Sequence, residues 1–287
     1  MFNLKEINGY KKWEIEPNTI SEKAVVLTKF FHFETNNIDK ERLVRVYLPS
    51  TYDLNNPNKR FPVIYMMDGK NLFDDYTSFV GEWGIDETIE DFILKKQSEG
   101  IIVVGIDAPK DARDRALEML SNEFISRRKK DYEPHQGYAE LLADFIFNKV
   151  KKDIDKTFHT LKDKKHTGVG GSSMGGIMAF FLATKYQKYV NYCFCFSPAF
   201  FLVNKKCYQE YLDKYVTKEV GNIYFYVGGK DFEEIFIKDT LYTYQYMMKK
   251  GFNHEQIKMV FDSDQIHNEK PWREYFPRAV KFFKFLN

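Results

Sequence analysis

The segment Gly171-Ser172-Ser173-Met174-Gly175 is the part of this sequence best equipped for covalent chemistry. It follows a short strand-like run, Thr167–Gly170, and leads into apolar residues at helical spacing from Met174 onward. A serine at such a strand-to-helix turn, with glycine two places before and two after it, has the pattern of a nucleophile elbow. The turn is so tight that backbone approaches backbone, so those two positions must be small, and the serine Oγ is pushed out of the sheet. The turn also leaves the N–H of Met174 at a helix N-terminus, aimed at a developing oxyanion. Only Ser173 has glycine at both offsets; Ser172 does not. Phosphate-binding patterns fit less well. Gly228-Gly229-Lys230 lacks the earlier Gly and the following Ser/Thr of a P-loop, and Gly170–Gly176 does not spell G-x-G-x-x-G.

A serine nucleophile needs a base and an orienting acid, in the chain order Ser, Asp/Glu, His. Of six histidines, only His254 and His267 follow the elbow. His254 lies in a helix-to-strand turn and reads as a surface residue. His267 follows the last strand-like run, at the carboxyl edge of the sheet, where α/β enzymes assemble their sites. The acid is expected in the loop Gly229-Lys230-Asp231-Phe232-Glu233-Glu234, after another strand. Asp231 is the first choice, with Glu233 and Glu234 as rivals. Spacing predicts the triad Ser173–Asp231–His267.

The elements that must position these residues are legible in the pattern. Val25–Phe33 and Leu43–Leu48 are strand-like, and the turn-rich stretch between them predicts a hairpin. Strand and helix patterns then alternate: strands at Phe61–Met67, Ile101–Ile106, Thr167–Gly170, Tyr192–Phe196, Ile223–Val227 and Ile257–Phe261, helices at Ile85–Leu94, from Tyr138, from Met174 and at Ile235–Lys249. A closing helical pattern from Trp272 is interrupted by Pro277, which predicts a helix restarting with Pro277 in its first turn. Such alternation implies a mostly parallel sheet with helices on both faces and an antiparallel hairpin at its start. One domain over residues 1–287 is expected, with about 110–136 forming either a lid or a surface loop.

Composition excludes several functions. The chain has 43 basic and 41 acidic residues, so no basic surface for nucleic acid is expected. The first twenty residues have no apolar core of the kind a signal peptide needs and no apolar run approaches membrane length, so neither a signal peptide nor a membrane span is expected. Three cysteines is an odd number. Cys193 and Cys195, read on opposite faces of one strand, are not expected to pair, and a reduced, cytoplasmic protein is the simplest account. No metal or cofactor is implied, because no histidine pair or cysteine set has ligand spacing.

Several motifs in order resemble the α/β-hydrolase esterases grouped with enterochelin esterases, S-formylglutathione hydrolase (esterase D) and feruloyl esterases. These are FPVIYMMDGKNLFDD, VGIDAPKDARDRALEM, GGSSMGG, CFSPAFF and HNEKPWREYFPRAVKFF. The resemblance runs from about Leu43 to the C-terminus. It implies an α/β-hydrolase fold and a serine carboxylesterase that passes through an acyl-enzyme on a small or aryl ester. An acyltransferase, or a binding protein that has lost activity, are the alternatives. It further implies that the second oxyanion donor is the N–H of Lys70, where such proteins commonly carry glutamine; a lysine there bears on the preference between acidic and neutral substrates. By the same resemblance Trp83 is expected to touch substrate and Trp272 to pack. Arg115 and Glu118 are expected to form a structural ion pair. Substrate and oligomeric state are not legible.

Overall fold

On β4 (Val63–Met67), Val63, Tyr65 and Met67 enter one apolar cluster while Ile64 and Met66 enter another. The same alternation on β5 (Ile102–Ile106), β7 (Tyr192–Phe196) and β8 (Asn222–Gly228) divides the core into two layers with the sheet between them. Strands apolar on both faces can be stable only if both faces are covered, and here both are. The structure, a computed structural model, describes residues 10–16, 25–33, 35, 41–79, 81–125 and 136–284.

The described residues form one nine-stranded sheet in the order β1-β2-β3-β5-β4-β6-β7-β8-β9. Its remaining strands are β1 (Glu14–Ile15), β2 (Val25–His32), β3 (Glu41–Leu48), β6 (Thr167–Ser172) and β9 (Ile257–Asp262). The first three are antiparallel additions, and β2 and β3 pair from Val25↔Leu48 to His32↔Glu41, the expected hairpin. From β5 across to β9 every pairing is parallel.

Around the sheet lie α1 (Ile85–Leu94), α2 (Ala112–Met119), α3 (Ala139–Asp144), α4 (Lys151–Thr157), α5 (Met174–Lys185), α6 (Lys205–Tyr215), α7 (Glu234–Lys249) and α8 (Glu269–Phe282). A π-helical stretch, Phe145–Val150, joins α3 to α4. The α1 and α8 side chains fill one layer, and those of α3 to α7 the other. Helix α5 is buried from Met174 to Thr184 and so is apolar all round, as a helix enclosed by the fold should be.

Four expectations need correction. Helix α8 runs unbroken through Pro277, which leaves one carbonyl without its helical donor but does not restart the helix. Cys193 and Cys195 share a face, because period two brings i and i+2 back to the same side; both are buried free thiols in one core layer. Arg115 and Glu118 do not pair with each other. Arg115 binds Asp68 at 2.6 Å, and Glu118 binds Arg42 through two 2.7 Å contacts inside the protein. The stretch of about 110–136, expected as a lid or a surface loop, contains helix α2 at 112–119, packed against α3 and α5, and 126–135 lie outside the described residues. No helix among the described residues is long and apolar enough to cross a membrane.

Candidate active site

Ser173 stands between β6 and α5 with φ 56° and ψ −118°, a conformation that costs an L-residue energy and persists only where its surroundings impose it. Those surroundings are backbone. The Ser173 N–H donates to the Phe196 carbonyl at 3.0 Å, and its own carbonyl accepts from the N–H groups of Gly176, Ile177 and Ala199. The glycine requirement is steric: a Cβ on Gly171 would lie 2.6 Å from the Gly175 carbonyl oxygen, and one on Gly175 would lie 2.9 Å from Met67 Cβ. Three other non-glycine residues with positive φ, Asp68, Ser197 and Asp231, also sit just beyond parallel strands β4, β7 and β8. Backbone strain thus gathers along the carboxyl edge of the sheet.

His267 follows β9 at that same edge. Its Nδ1 is hydrogen-bonded to Oε2 of Glu233. Glu233 is 0% exposed, and its Oε1 accepts from the Gly228 N–H at 2.9 Å and from the Ser197 hydroxyl. Ser197 in turn accepts from Trp272 Nε1 at 3.2 Å. The carboxylate is therefore held by three donors in a dry site, where such bonds are strongest. Aromatic rings fix the imidazole plane: Phe236 stacks on it at 4.3 Å, and Trp272 and Phe232 meet it edge-on at 5.1 and 5.7 Å.

Asp231, the expected acid, does not meet His267. It is exposed, with φ 57°, and so is Glu234. The reason is local. After β8 the N–H groups of Gly229 and Lys230 both donate to the Gln265 carbonyl, and a single 3-10 turn over Asp231–Glu233 then points Asp231 outward and Glu233 back beneath the strand end. His254, as expected, is an exposed residue, bonded to Tyr244.

The serine and the histidine are linked through this framework. Ser173 is anchored to Phe196 and Ala199, and Ser197 between them holds the acid that holds His267. Among the described residues Ser173 Oγ makes no hydrogen bond. The N–H groups of Met174 and Lys70 likewise meet no acceptor among the described residues. Lys70 lies in a 3-10 turn, Gly69–Asn71, directly after β4 and therefore at the same edge.

A second polar layer supports that turn, and the sequence reading did not identify it. Asp68 chelates Arg115 through 2.6 and 2.7 Å bonds. Its Oδ2 would lie 3.0 Å from a Cβ on Gly175, so the carboxylate abuts the N-terminus of α5. Asn71 donates to Glu269 at 3.1 Å, two residues beyond His267. Burial raises the Glu269 carboxyl above its ordinary range, and the Asp68 charge adds to the effect. The Arg-x-x-Glu motif that carries Arg115 was the available signal, but its partners lay elsewhere in the chain. Trp83 is a correction: it is 2% exposed and packs against Phe196, Trp272 and Phe276, so it supports the site from within the core and presents no surface to a substrate.

The sequence model of a family described as "Putative esterase" matches residues 35–283. The chain belongs to this esterase family. The esterase is 21% identical over 247 residues to the uncharacterized protein YbbA of Bacillus subtilis (strain 168), covering 84% of this chain and 92% of that one. Its fold is that of the α/β-hydrolase esterases. It superimposes on the siderophore hydrolase EstB of Aspergillus nidulans with a TM-score of 0.68 at 17% identity, over 94% of this chain and 98% of the other. A ferulic acid esterase gives 0.65 at 15% identity, over 93% and 100%. The ferric enterobactin esterase of Salmonella typhimurium gives 0.66 at 14%, over 96% of this esterase and 60% of the larger chain.

Proposed function

We propose that this esterase is a serine carboxylesterase that forms an acyl-enzyme on a small or aryl ester, with Ser173, His267 and Glu233 as its triad. The observation that carries the reading is the fully buried Glu233 carboxylate on His267 Nδ1, at the sheet edge that also presents a strained elbow serine. With Nδ1 committed to Glu233, the lone pair on Nε2 is the one left to accept a proton. Ser173 Oγ attacks the ester carbonyl and its proton passes to His267 Nε2. The negative charge that develops on the carbonyl oxygen is met by the N–H groups of Met174 and Lys70. The imidazolium, stabilised by Glu233, returns its proton to the departing alkoxide and leaves an acyl-serine. A water molecule then repeats the sequence, with His267 taking its proton, and frees the acid and Ser173.

Buried free thiols support a reducing, cytoplasmic setting, and hence small intracellular esters as substrates. The test is hydrolysis of p-nitrophenyl esters from acetate to octanoate by the wild type and by Ser173→Ala. The variant should lose about 10⁴-fold or more in kcat. A fluorophosphonate probe should label Ser173 in the wild type only. Undiminished turnover in Ser173→Ala would overturn the assignment, and faster acyl transfer to an added alcohol than to water would make the enzyme an acyltransferase.

A further inference from the structure

Among the described residues, the cations that reach the loop after β4 and the strands beside it include Arg42, Arg45, Arg115 and Lys70, and the first three are neutralised. Arg42 is paired with Glu118, Arg45 with Glu16 and Asp107, and Arg115 with Asp68. The fourth is Lys70, whose ammonium has no carboxylate within ion-pair distance among the described residues. Asp107, an acid that feels the Lys70 charge, is already occupied by Arg45 and would lie 2.6 Å from a Cβ on Gly69. Lys70 therefore feels the Asp107 charge only at longer range and rests over the Phe79 ring, which leaves its ammonium free to pair with a ligand's carboxylate.

Its placement is defined. The Lys70 carbonyl accepts from Thr77 Oγ1 at 2.7 Å, which folds the loop over so that Lys70 Nζ stands 5.5 Å from the centre of the Phe79 ring. Phe79 is 81% exposed, and its N–H donates to Asn71, whose side-chain amide reaches Glu269 beside His267. The open ring is thus tied through Asn71 to the segment that carries His267, and the cation lies within one lysine side chain of the N–H assigned to the oxyanion. An aromatic face beside an ammonium also suits a flat group carrying negative charge, which can stack on one while pairing with the other.

We infer that Lys70 is a specificity-determining residue, and that the preferred substrate is an ester bearing a second, anionic group within one side-chain length of the scissile carbonyl. This rests on the carboxylesterase reading above, with the backbone of Lys70 serving the oxyanion and its side chain serving the substrate's remote charge. Binding energy from such a remote group is what distinguishes one ester from another of equal reactivity.

Two matched ester pairs test it: mono-p-nitrophenyl glutarate against p-nitrophenyl valerate, and p-acetoxybenzoate against its methyl ester. The quantity read is the ratio of kcat/KM, anionic over neutral, within each protein, so that a general loss of activity cancels. Lys70→Gln should lower that ratio about fivefold for at least one pair, the size of a partly exposed ion pair, and Lys70→Glu should lower it further. In the wild type the ratio should also fall as the Debye length shrinks from about 30 Å to about 3 Å between 0.01 and 1 M salt. An unchanged ratio in both variants, for both pairs, overturns the inference while leaving the esterase intact. If none of these esters turns over, the rate of Ser173 labelling by a carboxylate-bearing fluorophosphonate, against its methyl ester, supplies the same ratio. Equal labelling rates across wild type and variants overturn the role of Lys70, whereas no labelling by either probe overturns the nucleophile itself.

Discussion

Replacing Glu233 by glutamine changes one atom and should disable the enzyme. Three donors converge on the carboxylate: the Gly228 N–H and the Ser197 hydroxyl on Oε1, and His267 Nδ1 on Oε2. Glutamine offers one oxygen and one NH₂ group. If the oxygen keeps the Gly228 bond, the NH₂ faces His267 and forces Nδ1 to accept. The ring proton then moves to Nε2, where it blocks proton transfer from Ser173. A wrong tautomer of this kind costs about 10⁴ in kcat where it has been isolated in a serine triad, or about 5.5 kcal/mol of transition-state stabilisation. If the amide flips, its NH₂ instead meets the Gly228 N–H, and the buried mismatch costs about 1–3 kcal/mol of stability. Asp231→Asn, at an exposed position whose positive φ asparagine tolerates, should change kcat/KM by no more than about twofold. The assay is p-nitrophenyl ester hydrolysis by the two variants side by side, with circular dichroism melts to separate lost chemistry from lost folding. A folded Glu233→Gln protein within tenfold of wild type, together with an Asp231→Asn protein crippled a hundredfold, would refute the assignment of the acid.

Two further outcomes concern stability. Arg42 and Glu118 form a two-pronged ion pair with side chains only 3% and 0% exposed, so Glu118→Ala, which strands the arginine, should lower the unfolding free energy in urea by about 3–5 kcal/mol; a loss under 1 kcal/mol would show that the pair is hydrated in solution. The Asp86 carboxyl, only 2% exposed near the start of α1, is pushed up to about 9 by burial and then by the neighbouring Glu87 charge. Because the folded form keeps its proton while the unfolded carboxyl ionises near 4, this group's contribution to stability is full below about pH 4 and is lost as pH rises toward 9. Asp86→Asn should therefore raise the melting temperature more at pH 8.5 than at pH 5, and an equal effect at both would count against a neutral Asp86.

Much of the site could be read from sequence because it depends on local rules. The elbow is a backbone event: two glycines and a serine between a strand and a helix restrict what the turn can do, whatever lies around it. His267 was found by order and by its place after a strand, since a mostly parallel sheet delivers every strand's carboxyl end to one edge. Strand faces follow from period two, which is why β4, β5, β7 and β8 each feed both core layers. Helix α6 was missed although its signal was present, an Asn204 cap followed by Tyr208, Tyr211 and Leu212 at i, i+3 and i+4.

What the sequence could not decide was which partner each charged group takes. Asp231, Glu233 and Glu234 are equivalent by spacing, and one 3-10 turn chooses among them by burying Glu233 under the end of β8. Arg115 and Glu118 lie one helical turn apart on α2, yet each is claimed by a longer-range partner, Asp68 or Arg42, brought in by the sheet. Trp83 has the character of a substrate contact and is instead enclosed by Phe196, Trp272 and Phe276. By itself the sequence determined the layered α/β architecture and placed Ser173 and His267 beyond strands that end at one edge of the sheet. The tertiary structure decided which carboxylate meets His267, which ion pairs form and what surrounds Lys70, because a side chain's partner and its access to water are set by elements distant in the chain.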